Sequence, residues 1–151
     1  MALTAPVSLR KRPGDMIEFA IGTGTTVFVG AAVMLASGTG RIENLADTAG
    51  AEPVGFVTEL VPLDSSDGSA AGVTAGTTKV VVDTNPGIHE DETVVGVVSE
   101  VNVGELVYAT DENTFTLTAT TNIPAVGMVA RHKTGTTVDV LFFSAEEMRN
   151  N

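Results

Sequence analysis

Val54-Gly55-Phe56-Val57-Thr58-Glu59, Val95-Gly96-Val97-Val98-Ser99-Glu100 and Val126-Gly127-Met128-Val129-Ala130-Arg131 are three versions of one phrase. Each is an apolar run with glycine in second place, and each follows a polar, turn-rich segment. The glycines stand 41 and then 31 residues apart, so the repeat is uneven. Internal self-similarity constrains architecture before any propensity argument begins. Upstream, Gly30-Ala31-Ala32-Val33-Met34-Leu35 precedes Gly55, and Gly104-Glu105-Leu106-Val107-Tyr108-Ala109 precedes Gly127. A weaker counterpart, Gly76 to Val82, precedes Gly96. The unit reads as strand, polar turn, strand, then an apolar strand carrying glycine. Glycine within a strand marks a bulge, a bend or a close backbone approach. Gly55, Gly96 and Gly127 are therefore expected at strand bends or crossings of an all-β domain, a small curved sheet or barrel of β-tulip type.

The strand pattern extends outward from these phrases. Asp15 to Ile21 alternates as a short strand, and Thr26 to Leu35 reads as one further strand region. Arg41 to Leu45 is expected to pair back on it. Lys79 to Val82 is a buried strand, followed by the turn signal Asp83-Thr84-Asn85-Pro86-Gly87. Leu106–Ala109 and Phe115–Thr118 flank Asp111-Glu112-Asn113 as a hairpin. Val138 to Phe143 closes the series. Ser144-Ala145-Glu146-Glu147 has capping-box spacing and is expected to start one helical turn.

Composition narrows the function classes. At 151 residues, with 43% hydrophobic and 18% charged side chains, the chain suits one self-sufficient core. Residues 1–14 lack periodicity and read as an extended arm, leaving 15–151 as a single β-rich domain. Cysteine is absent, which removes disulfides, thiolate metal sites and cysteine nucleophiles. The net charge of −11 argues against a nucleic-acid partner, which requires clustered Lys and Arg. No apolar run approaches the length of a membrane span, and the start of the chain does not read as a secretory signal.

Chemistry-bearing motifs are few. His89-Glu90-Asp91-Glu92 combines metal-ligand types, but adjacent residues on an extended chain point alternately and converge poorly. It reads as a solvated acidic loop. Asp64-Ser65-Ser66-Asp67-Gly68 lacks the order and the later bidentate Glu of a calcium loop. No nucleophile elbow, phosphate loop or zinc-protease motif occurs, and nothing places Glu59, Glu100 and Glu105 across a cleft. The reading is of a non-enzyme with no metal and no cofactor. Arg10-Lys11-Arg12 holds three of only eight basic residues. It is either a solvated tail or a positive arm suited to an acidic partner surface.

The order Pro13-Gly14-Asp15, Pro53-Val54-Gly55-Phe56-Val57, Gly104-Glu105-Leu106-Val107-Tyr108 and Ala125-Val126-Gly127-Met128-Val129 resembles the small capsid decoration proteins of tailed bacteriophages. It is most similar to the group catalogued as domain of unknown function 2190. Two features depart from that pattern: a long middle segment, Leu63 to Val98, and an unusually basic arm. The resemblance implies a cement protein, made in the host cytoplasm and placed on the outer capsid surface of the virion. There it is expected as a homotrimer clamping adjacent subunits of the major capsid protein. Leu3, Pro6, Val7, Leu9, Arg10, Lys11 and Arg12 are then the expected capsid-binding residues. The competing reading is a head-surface module that binds carbohydrate or host, which calls for exposed aromatic side chains.

Overall fold

A computed structural model describes residues 15–61, 69–73 and 76–150. The expected arm, residues 1–14, and Asp64 to Gly68 lie outside the described residues. Strands β1 (Met16–Ala20), β3 (Ala32–Leu35), β4 (Ile42–Asn44), β5 (Glu52–Val61) and β7 (Lys79–Asp83) form one sheet. Its order is β1-β7-β5-β3-β4, and every neighbouring pair is antiparallel. An isolated bridge between Ile21 and Ile42 draws its two outer strands together at one end, where the Gly22 N–H donates to the Ile42 carbonyl. Strands β2 (Thr26–Phe28) and β6 (Ser69–Ala71) pair as a separate ribbon.

The second half of the chain closes a barrel. Its strands are β8 (Gly87–Val95), β9 (Leu106–Ala109), β10 (Phe115–Thr116), β11 (Gly127–Thr134) and β12 (Thr137–Phe142). They run around the barrel as β10-β8-β12-β11-β9, with only the β8–β10 pairing parallel. The all-β expectation therefore holds, and the barrel form is realised. Closure removes the free strand edges that an open sheet of this size would present to other chains.

Strands β3 and β5 join the two halves because their side chains alternate between two cores. Ala32, Met34 and Phe56 enter the barrel core with Val94, Val107, Phe115, Val129, Val138, Val140 and Phe142. Val33, Val54, Val57 and Leu60 face the other way, onto Ile21, Val27, Ile42, Val80 and Val82. Phe56 is the link: its ring lies 4.6 Å from both Phe142 and His89, and Phe115 stands 5.0 Å from Phe142. Each fully buried side chain of this kind contributes on the order of 1.5–3 kcal/mol. The two apolar layers thus hold a chain that has no covalent staple.

Two expected elements differ. Thr26 to Leu35 is broken at Gly30, whose φ of 90° turns the chain and separates β2 from β3. The acidic run Glu90-Asp91-Glu92 belongs to β8 rather than to a loop. Its partner strand sets this arrangement: Val138 faces Glu92 and Val140 faces His89, so Asp139 opposes two residues across a bulge. Asp91 occupies the left-handed region there, with φ 62°.

The described residues end in helix α1 (Ala145–Asn150), longer than the single turn expected. Ser144 Oγ accepts from the Glu147 N–H at 3.2 Å, while the Glu147 carboxylate receives the Ser144 N–H and hydroxyl at 2.8 and 2.9 Å. These bonds hold the Glu147 carboxyl below its usual pKa, against a smaller opposing effect of burial. The cap directs Met148 into the barrel core. Ser144→Ala is expected to cost on the order of 1 kcal/mol, the usual worth of an N-cap. A thermal melt checks the size, and faster amide exchange at Glu147 checks the location.

Candidate functional site

The loop that leaves β8 is pinned by its own polar groups. Ser99 Oγ accepts from the Val101 N–H, and Asn102 Oδ1 accepts from the N–H groups of Val98 and Ser99 at 2.9 and 3.4 Å. Asn102 Nδ2 in turn donates to Glu105 Oε2 at 3.2 Å. Asn102 is buried, so the short 3-10 turn Glu100–Asn102 is anchored from beneath. This stiff frame holds apolar side chains out in solvent: Val98 is 71% exposed and Val101 77% exposed. Val95, Val103 and Leu106 on the same stretch are also exposed. Single exposed apolar residues need no explanation, but five within twelve positions, from the end of β8 to the start of β9, make this stretch the candidate contact surface. Sequence reasoning missed this rim, because Val95 to Glu100 reads as an apolar strand, whereas β8 stops at Val95 and the Asn102 hydrogen bonds hold the residues after it in a turn.

On the flank of the barrel, three strands converge on Asp139. Its side chain is 5% exposed and points away from the apolar core. Arg131 reaches one carboxylate oxygen through Nε and Nη2 at 2.7 and 2.6 Å, and Lys133 Nζ reaches the other at 2.9 Å. The bulged Asp91 donates its N–H at 3.3 Å and accepts from Lys133 Nζ at 2.8 Å. Burial pushes the Asp139 carboxyl up, but the bonds from Lys133, the Asp91 backbone and Arg131 outweigh it and hold it below the usual value. Lys133 is raised, chiefly by its bonds to Asp91 and Asp139. Both oxygens of the Asp139 carboxylate are taken by donors from β8 and β11, so the cluster is a clasp between β8, β11 and β12.

A second clasp ties the halves of the chain. Asp47 accepts from the N–H groups of Thr121, Asn122 and Ile123 at 3.1, 2.7 and 3.2 Å. The Asn122 N–H contributes most to holding its carboxyl below the usual value.

The residues singled out from sequence fall in different places. Leu3, Pro6, Val7, Leu9, Arg10, Lys11 and Arg12 lie outside the described residues. Gly55 lies inside β5 and Gly127 opens β11, each pressed against a neighbouring strand, whereas Gly96 stands one residue past β8 in a turn at φ 95°. Gly96 is therefore a chain-reversal glycine and not a strand glycine. His89 sits among aromatic rings and near Glu92, 3.4 Å away, not in a ligand cage. Among the described residues no three His, Asp or Glu side chains are grouped to hold a metal ion. Glu59 lies on β5, while Glu100 and Glu105 belong to the barrel loop, so the fold does not gather them on one element. Compared with known proteins, the chain matches no family model, no curated sequence and no solved structure.

Proposed function

We propose that this chain is a structural decoration protein, which binds the outer surface of a phage head and clamps adjacent subunits of the major capsid protein. The observation that carries the reading is the braced apolar rim at Val95, Val98, Val101, Val103 and Leu106. Apolar contact area on a rigid frame is what a cement protein needs, because little ordering entropy is then lost on docking. Self-repulsion of a chain with net charge −11 also means that close apolar contact, not long-range attraction, must supply affinity between copies in a trimer. The aromatic residues support the alternative poorly: Phe56, Phe115 and Phe142 are buried, Phe19, Tyr108 and Phe143 are partly so, and Phe28 alone is exposed.

The arm adds a second contact in this reading. Ordering fourteen residues costs roughly 1–2 kcal/mol of backbone entropy each, and exposed ion pairs return only about 0–1 kcal/mol apiece. Burial of Leu3, Pro6, Val7 and Leu9, together with backbone pairing to a coat strand, must then supply most of its binding, with Arg10, Lys11 and Arg12 setting register and on-rate.

The test is to mix purified protein with expanded, undecorated heads. Saturable binding at a fixed stoichiometry is expected, with the protein seated around three-fold positions. Val98→Asp with Val101→Asp should melt like the parent yet bind roughly a hundredfold more weakly, as central interface residues do. Removal of residues 2–12 should also weaken binding severely. A chain that ignores heads and binds glycans or cells instead would replace this reading with the carbohydrate- or host-binding one.

A further inference from the structure

A groove of about 940 Å³ opens between β1, the outer strand of the first sheet, and α1. Its floor is apolar, formed by Ile17, Phe19 and Leu35. Ile17 is 44% exposed, although it lies within a strand whose face continues into a buried core. Its rim is acidic, carrying Asp15, Glu146 and Glu147. Among the described residues the one cation on the rim, Arg149, lies 3.6 Å from Glu52. An apolar floor with an acidic edge fits a peptide that is apolar along its length and basic at one end.

We propose that the chain's own N-terminal segment, residues 1–12, lies in this groove in the free protein. Three observations select that occupant. The segment joins the described residues at Asp15, which is itself part of the groove wall. Its composition is complementary: Leu3, Val7 and Leu9 match the floor, and Arg10, Lys11 and Arg12 match the rim, with no acid among residues 1–14. Pro13-Gly14 stands between segment and wall, the pair that turns a chain back on itself. Reach is no obstacle, since twelve residues extend to roughly 40 Å and α1 is only about 9 Å long. An attached segment also acts at high effective concentration, which favours it over the same segment of another copy. The apolar floor and the acidic rim hold the segment together, because open ion pairs alone are weak.

This docking concerns the free chain and stands apart from the capsid reading. Where that reading also holds, the groove and the capsid compete for the same segment. The groove then keeps an apolar, basic peptide covered until a head is available.

Trypsin cleavage after Arg10 and Lys11, followed by mass on the full-length chain, tests the proposal. Cleavage of such a segment tracks the fraction of time it is open. Asp15→Asn with Glu146→Gln removes rim charge without adding a cleavage site. Cleavage at low salt should be roughly fivefold slower in the parent than in this variant, and high salt should bring the two rates together. Equal rates at low salt overturn the proposal. Protection that grows with protein concentration also overturns it, in favour of the arm of a second copy. A nitroxide on Ser8→Cys, unique because the chain has no other cysteine, gives a readout in the parent fold. Amides of Phe19, Leu35 and Ala145 should broaden, and undisturbed signals there would end the idea. Neither measurement involves heads, so failure here leaves the decoration reading standing, and the reverse.

Discussion

Gly55→Ala should unfold this protein more readily than any other single methyl added among the three repeat glycines. A Cβ at position 55 would lie 1.9 Å from the carbonyl oxygen of Asp83 and 2.8 Å from its carbonyl carbon. Both atoms are backbone of β7, hydrogen-bonded neighbour of β5, so neither can swing aside. The glycine also holds φ at 151°, a conformation that L side chains rarely adopt. The position is a bulge: Val33 faces Gly55 while Met34 faces Pro53, leaving Val54 unopposed. That extra residue turns Val54 toward one core and Phe56 toward the other, which joins the sheet to the barrel. A methyl here must part β5 from β7 and withdraw Phe56 together. The expected loss is about 3 kcal/mol or more, in the upper range for point substitutions. Gly127→Ala should rank second, with Leu141 backbone oxygen 2.6 Å from the new carbon. Gly96→Ala should rank last, because its nearest contact is the Leu117 side chain at 3.5 Å, leaving mainly backbone strain of about 1–2 kcal/mol. Denaturant midpoints of the three variants check the order. Equal midpoints would mean that the close approaches at Gly55 and Gly127 relax without cost.

That ranking shows what could be read from sequence and what could not. Three nearly identical phrases announced a β architecture, yet their glycines serve two purposes. At Gly55 and Gly127 a neighbouring backbone fills the place of a side chain, and at Gly96 the chain turns through a positive φ. Nothing local to Val95-Gly96-Val97-Val98 separates it from Val54-Gly55-Phe56-Val57, because the difference lies in which strand passes by. Local chemistry was legible: the Ser144–Glu147 cap and the pairing of Leu106–Ala109 with Phe115–Thr116 depend on residues within one short window. Tertiary devices were not. Gly72 carries no strand phrase, yet a Cβ there would meet the Gly22 carbonyl oxygen at 2.0 Å. The acidic run at Glu90 to Glu92 looked like loop because its strand character comes from β12, nearly fifty positions on. The exposed rim depends on Asn102, an unremarkable polar residue until its side chain is seen bracing Val98 and Ser99.

Asp139→Asn should produce the second large effect, and pH should show its origin. The carboxylate is nearly excluded from water and neutralises two cations that reach it from β11. An amide of the same shape keeps an acceptor for only one of them, and leaves Arg131 with Glu90 at 3.9 Å and Lys133 with Asp91 at 2.8 Å as their remaining counter-charges. Removing one partner of an ion pair whose acid is buried costs more than the intact pair contributes, and here Lys133, only 27% exposed, loses one of its two carboxylates. The sign follows from the shifted groups. Asp139 in the folded chain lies below its ordinary value of 3.8. It therefore binds its proton less readily folded than unfolded. The stability it adds is complete above 3.8 and disappears as pH falls through the lower folded value. Lys133 works at the other end: it is raised above 10.5, so its contribution is complete below that value and is lost as pH climbs through the folded one. Together they support a plateau across neutral pH. Asp47 and Glu147 are also held low, so the parent's acid limb is a composite. The variant isolates the share of Asp139. Its melting temperature should fall well below the parent's at neutral pH and approach it in acid, where the parent carboxyl is protonated as well. Its alkaline limb should begin at the same pH, set by the unfolded lysine, but be smaller and end sooner, because Lys133 keeps only Asp91 to hold its proton in the folded chain. A variant curve running parallel to the parent's at all pH values would show that the clasp contributes by shape and not by charge.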